Sequence, residues 1–121
     1  MSRKTTTLIG AALCAGWAAG VGAQDRELEL APTESALEQR GKEVFDYWCK
    51  ACHGDGPGMP GTAALRALYG EQKPALLEER PDLVPELTKS FVRTGVSIMP
   101  FFRKTEISDA DLDALAAYLA P

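Results

Sequence analysis

The only histidine of this chain, His53, closes the run Cys49-Lys50-Ala51-Cys52-His53. Two thiols three positions apart, followed directly by an imidazole, carry one specific chemistry. Each thiol can add to one of the two vinyl groups of a porphyrin, and the next residue can turn its ring nitrogen to the iron. C-x-x-C-H is the attachment signature of c-type haem. Other uses of the same residues fit less well. A structural zinc site takes four ligands, and only Cys49, Cys52 and His53 stand together. A thioredoxin-type dithiol sits after a strand in a βαβ setting, whereas Phe45-Asp46-Tyr47-Trp48 continues a helical pattern. A single disulfide across two intervening residues would do little for a core of this size.

His53 needs a second axial partner across the iron, and no further histidine exists to supply it. Met59 and Met99 are the methionines downstream of the motif, each followed by proline. Met59 lies six residues after His53 on a glycine-rich loop, too few to round a porphyrin edge and return over its far face. Met99 is 46 residues away, beyond two or three helices, in the non-helical stretch Val96 to Phe102. Met99 is therefore the expected thioether ligand, with a lysine or an open sixth position as the alternatives. A histidine and a methionine together saturate the iron and favour electron transfer over substrate binding. An open sixth site would instead suit a haem sensor or a small peroxidase.

The elements that must position these groups read as helices. Leu37, Gly41, Val44, Phe45 and Trp48 recur at three- and four-residue steps, and Ser35 with Glu38 fits a capping box. This helix is expected to run into the motif and stop at Gly54-Asp55-Gly56-Pro57-Gly58. A short helix is predicted over Thr62 to Tyr69, capped by Thr62 and ended by Gly70. Pro74 and Pro81 bracket a possible helix through Leu76 and Leu77. Pro85 opens another, with Leu87, Phe91 and Val92 as its stripe and Gly95 as its stop. Ser108 caps a last helix whose apolar face is Leu112, Leu115, Ala116 and Leu119, with Tyr118 beside it. No segment alternates with period two. The fold class is all-α, with three to five short helices and long loops.

Composition places the domain. The chain has 121 residues, 13 basic and 17 acidic, for a formal charge of −4. Met1 to Thr7 carries Arg3 and Lys4, Leu8 to Val21 is an apolar run, and Val21-Gly22-Ala23 offers small residues at a cleavage position. Residues 1–23 are thus expected to be a signal peptide cut after Ala23. Fourteen apolar residues fall short of the roughly 20 that span a bilayer, and Leu13 is too bulky to precede a lipidated Cys14. Residues 24–34 read as a loose charged arm, and residues 35–121 as one domain. Cleavage removes two basic residues and no acidic ones, leaving −6 on 98 residues. That charge disfavours nucleic acid and anionic membranes as partners. So few large apolar side chains make a thin core, which a cofactor would complete.

Gly41, Phe45 and the Cys49–Gly54 run, then Val92-Arg93-Thr94-Gly95 and Met99-Pro100, then Leu115 and Tyr118 in the last helix, together resemble a class I cytochrome c. The resemblance covers about residues 36 to 120. It implies one haem c held through Cys49 and Cys52, iron ligation by His53 and Met99, and a first helix crossing the last. Gly41 and Phe45 would then meet Leu115 and Tyr118. It also implies a prolyl carbonyl, from Pro60 in preference to Pro57, accepting the second ring N–H of His53. The haem edge would be rimmed by Ala51, Met59, Pro60, Pro100, Phe101 and Phe102, with Phe101-Phe102 as the contact for partners. The segment Phe102 to Leu112 is similar to the small cytochrome subunits of p-cresol methylhydroxylase-type flavocytochromes. The implied role is a periplasmic carrier, not an enzyme in itself, taking electrons from a flavin- or quinone-dependent dehydrogenase and passing them to a cytochrome or oxidase.

Overall fold

The computed structural model describes residues 33–121. The expected signal peptide and nearly all of the expected arm lie outside the described residues. Helix α1 spans Glu34–Val44, and its axis continues through a π-helical turn, Phe45–Cys49, into α2, Lys50–His53. Helix α3 spans Pro60–Tyr69, α4 Pro85–Thr94 and α5 Asp109–Leu119. A single 3₁₀ turn, Leu77–Glu79, stands where the sequence allows a helix through Leu76 and Leu77. No β-strand occurs among the described residues. The described residues are all-α, as the sequence predicts.

Two helix starts differ from the sequence reading. Thr33, not Ser35, caps α1, its hydroxyl accepting from Ala36 N at 3.3 Å. Glu34, placed in the arm by the sequence, is therefore helical, since a carboxylate suits the first turn. Helix α3 begins at Pro60, whose fixed φ and missing N–H suit a first helical position. Thr62 is freed from capping; its buried hydroxyl donates to Gly54 O at 2.9 Å. Ser108 caps α5 as expected, accepting from Asp111 N at 3.0 Å.

The core gathers where α1 crosses α5 and α4 packs beside them. Val44, Phe45, Leu83, Val92, Ile107, Leu112, Leu115 and Leu119 form it. A Cβ on Gly41 would strike the Ala114 carbonyl and stand 2.5 Å from Tyr118 Cβ, so only glycine lets the two helices approach this closely. Gly41 thus meets Ala114 and Tyr118, one position from the Leu115 that the resemblance implied. The Phe45 and Tyr118 rings lie 5.9 Å apart at 52°, a tilted pair of the favoured kind. Arg40 on α1 reaches Asp111 on α5 at 2.8 Å. Among the described residues, the largest fully buried side chains are those of Phe45, Ile107, Leu115 and Thr62. The core is thin, as the composition implied.

Candidate haem site

Helix α1 delivers Cys49 through the π-helical turn. Lys50 N–H reaches back to Phe45 O, one residue further than in an α-helix, which rotates the residues after it relative to the core face of α1. Phe45 stays inside the core while Cys49 is half-buried against it. Helix α2 then places Cys52, exposed, and His53, half-buried, one turn further on. The two cysteines are free thiols. Burial, with a smaller contribution from Cys52, pushes the Cys49 thiol up to about 12. Burial likewise lowers the pKa of His53, which favours the neutral imidazole that ligates metals.

Met99 arrives from the other end of the fold. Helix α4 stops at Gly95, with φ 69°, and the chain folds into a tight turn in which Val96 and Met99 exchange hydrogen bonds of 3.1 and 2.9 Å. Phe102 N donates to Val92 O at 2.8 Å, holding the end of this segment to α4. Arg93 ties down the chain from Phe102 to Asp109: Nη1 donates to the carbonyls of Phe102 (3.1 Å) and Ile107 (2.9 Å), and Nη2 to Asp109 at 2.9 Å. The segment read as irregular is therefore a braced turn that carries Met99. The bracing role of Arg93 is not legible in the sequence, because its three acceptors are nine to sixteen residues away.

Cys49, His53 and Met99 all line two adjoining cavities. One, of about 180 Å³, also touches Trp48, Pro60, Gly61 and Phe102. The other, of about 300 Å³, extends between α3, α4 and α5 along Leu65, Leu83, Val92, Leu115 and Leu119. Met59 lines neither cavity. The smaller cavity is thus lined by all four residues expected to bind the cofactor, Cys49, Cys52, His53 and Met99, and the larger one by all of these but Cys52. Among the described residues, no group of three or more His, Cys, Asp and Glu side chains could hold a metal ion by itself.

A family model described as cytochrome C oxidase, cbb3-type, subunit III matches residues 36–119. The chain belongs to this family. It is a cytochrome c domain, and haem-based electron transfer is the chemistry such a domain performs. No curated protein and no solved structure matches it.

The residues of this cytochrome domain fit a haem. A planar apolar group needs an apolar slot, one nitrogen and one sulfur donor for iron, and two thiols at its rim, and the chain presents each of these. The His53 ring also carries a buried Nδ1 with no hydrogen-bond partner. The carbonyl bond implied for Pro60 or Pro57 is accordingly not made. Gly61 lies against the ring instead: a Cβ there would stand 2.7 Å from Cε1 and 2.9 Å from Nδ1. The α3 backbone at Gly61 thus bounds the imidazole on that side.

The rim differs from its expected form in one respect. Phe101 is 60% exposed, but Phe102 turns inward and meets the Trp48 ring at 5.7 Å and 73°. Its backbone bond to Val92 fixes it there. The exposed apolar residues beside Met99 are Phe101 and Ile98, the latter 79% exposed. No helix among the described residues is long and apolar enough to cross a membrane.

Proposed function

We propose that this cytochrome is a one-electron carrier with one haem c bound covalently through Cys49 and Cys52 and ligated by His53 and Met99. The observation that carries this reading is the convergence of Cys49, His53 and Met99 on one apolar space from elements 46 residues apart in sequence. A bound haem would supply one-electron Fe(III)/Fe(II) chemistry. His53 and Met99 would hold its iron, and the apolar lining around them would keep water away. A thioether opposite an imidazole raises the reduction potential, and an apolar surround raises it further.

Export supports the cellular reading. The segment Met1 to Ala23 has the form of a signal peptide, which supports a periplasmic location for the mature domain, where c-type haem is attached. The partners that fit are a flavin- or quinone-dependent dehydrogenase as donor and a cytochrome or oxidase as acceptor. The segment Phe102 to Leu112 favours a flavoprotein of the p-cresol methylhydroxylase type as donor. A mature charge of −6 argues against docking through a ring of lysines. Ile98 and Phe101, exposed beside the Met99 turn, offer an apolar contact instead.

Expression with haem-maturation factors, followed by a pyridine haemochrome assay, tests the covalent cofactor. The oxidised protein is expected to show a methionine–iron charge-transfer band that Met99→Ala abolishes and Met59→Ala leaves intact. A resting spectrum unchanged by Met99→Ala would favour an open sixth site, and with it a sensor or peroxidase.

A further inference from the structure

The larger cavity is apolar except along one side, where Tyr69, Lys73, Arg80, Asp82 and Thr88 enter its lining. Arg80 is unusual among these. Its side chain is only 5% exposed, yet it carries a full charge. Nε and Nη2 donate to the two carboxylate oxygens of Asp82 at 2.7 and 2.9 Å, and Lys73 reaches the same carboxylate at 2.5 Å. One anion is therefore shared by two cations, and the cluster keeps a net charge of +1. The Tyr69 ring lies against the guanidinium, 4.7 Å from Cζ, which fixes its plane. Arg carries five N–H donors, and Nη1 has no partner among the described residues. Arg80 thus lines the cavity with donor capacity that Asp82 does not use, and a guanidinium largely removed from water favours an anionic acceptor.

Thr88 supplies an independent sign. It is 6% exposed, and its hydroxyl is buried without a hydrogen-bond partner. A threonine on a helix usually relieves this by donating to the carbonyl four residues back. Thr88 does not, and it lines the same cavity as Arg80. Thr88 belongs to the first half of α4, just after the Arg80–Asp82 segment, whereas Met99 lies beyond the other end of the helix. From Thr88 to the last residue, Thr94, is about 9 Å of helix axis. Thr88 and Met99 thus line the same cavity from opposite ends of α4.

We propose that Arg80, oriented by Asp82 and Tyr69, is the receptor for a carboxylate of the haem, with the Thr88 hydroxyl as its second donor. The proposal rests on the haem reading above. A haem is amphipathic, an apolar disc with two carboxylates on one edge, and it enters this slot in the one orientation that gives those anions a partner. The uncompensated charge of the cluster matches an ionised carboxylate. Charge-assisted bonds from a guanidinium are the strong ones and can be bidentate. Lys73 holds Asp82 so that the carboxylate of the protein does not take up all of Arg80.

Haem-loaded protein carrying Arg80→Lys, Arg80→Gln or Thr88→Val tests this by resonance Raman spectroscopy, in which the propionate-bending mode reports hydrogen bonding to the haem carboxylates. The mode is expected to move in both Arg80 variants, and more in Arg80→Gln. Thr88→Val, nearly isosteric, is expected to move it less. The reduction potential is expected to fall in Arg80→Gln, because losing a nearby cation favours Fe(III). If Arg80→Gln does not mature, Arg80→Lys carries the test. A propionate mode at the wild-type position in Arg80→Lys, and in Arg80→Gln where it matures, overturns the assignment. An unchanged mode in Thr88→Val removes the hydroxyl from the receptor. A negative pyridine haemochrome for the wild type would instead sink the haem reading itself, so the two failures are separable.

Discussion

Gly61 lies against the imidazole of His53, so closely that a Cβ would stand 2.7 Å from its Cε1 and 2.9 Å from the Cys52 carbonyl oxygen. Neither neighbour can yield cheaply, since one is the proposed iron ligand and the other is backbone. Gly61→Ala is expected to tilt the ring of His53 and to destabilise the haem-loaded protein by about 1–3 kcal/mol, the usual range for overpacking. Electron paramagnetic resonance of the oxidised protein would register the tilt as changed g-values. A wild-type spectrum with wild-type stability would show that α3 can move away from the ring without consequence.

Thr62 holds the same region from the other side. Its buried hydroxyl donates to the Gly54 carbonyl, directly after His53, at 2.9 Å. Thr62→Val keeps the shape and removes the donor, leaving a buried acceptor unpaired at a cost of about 1–3 kcal/mol. Thr62→Ser is expected to restore most of this. Urea unfolding monitored by haem absorbance distinguishes the pair, and equal midpoints for the two variants would remove the hydrogen bond from the account.

Arg93 braces the methionine side. Arg93→Leu would unpair the carbonyls of Phe102 and Ile107 and the carboxylate of Asp109 together. Stability is expected to fall by about 2 kcal/mol. More diagnostic is the order of events: the methionine–iron band is expected to vanish at a urea concentration where far-ultraviolet dichroism is still native. Coincident transitions in this variant would mean that the Met99 turn holds without Arg93.

Acid tests the Asp82 cluster. Hydrogen bonds from Arg80 and then Lys73 hold the Asp82 carboxyl far below the usual carboxylate range. A folded-state pKa below the unfolded value of about 3.9 means that the unfolded chain binds more protons in acid. The contribution is therefore fully present above about pH 4 and is lost as the pH falls through the folded pKa. Asp82→Asn is expected to be less stable at pH 7 and to lose less on acidification. Melting temperatures between pH 7 and pH 3 decide this. Parallel curves for wild type and variant would show that Asp109 and Asp111, also lowered by arginine or lysine neighbours, carry the acid sensitivity instead.

By itself, the sequence determined the chemistry and the punctuation of the fold. Cys49, Cys52 and His53 are adjacent, so their joint use is a matter of covalent spacing and needs no tertiary information. Met99 was reached by elimination, because so few iron donors exist in the chain. Pro85, Gly95 and Ser108 act through their own backbone and side-chain preferences, which are local, and the helices begin and end where they say. Thr33 and Thr62 show the limit of that logic: both are cap-type residues, and only packing decided that the first caps a helix while the second bonds to Gly54. The tertiary structure alone decided what surrounds the ligands. The Gly61 contact with His53, the reach of Arg93 and the buried charge of Arg80 join residues that no local period or motif connects. Their energies come from desolvation and close contact, which arise only once the helices have met around a common slot.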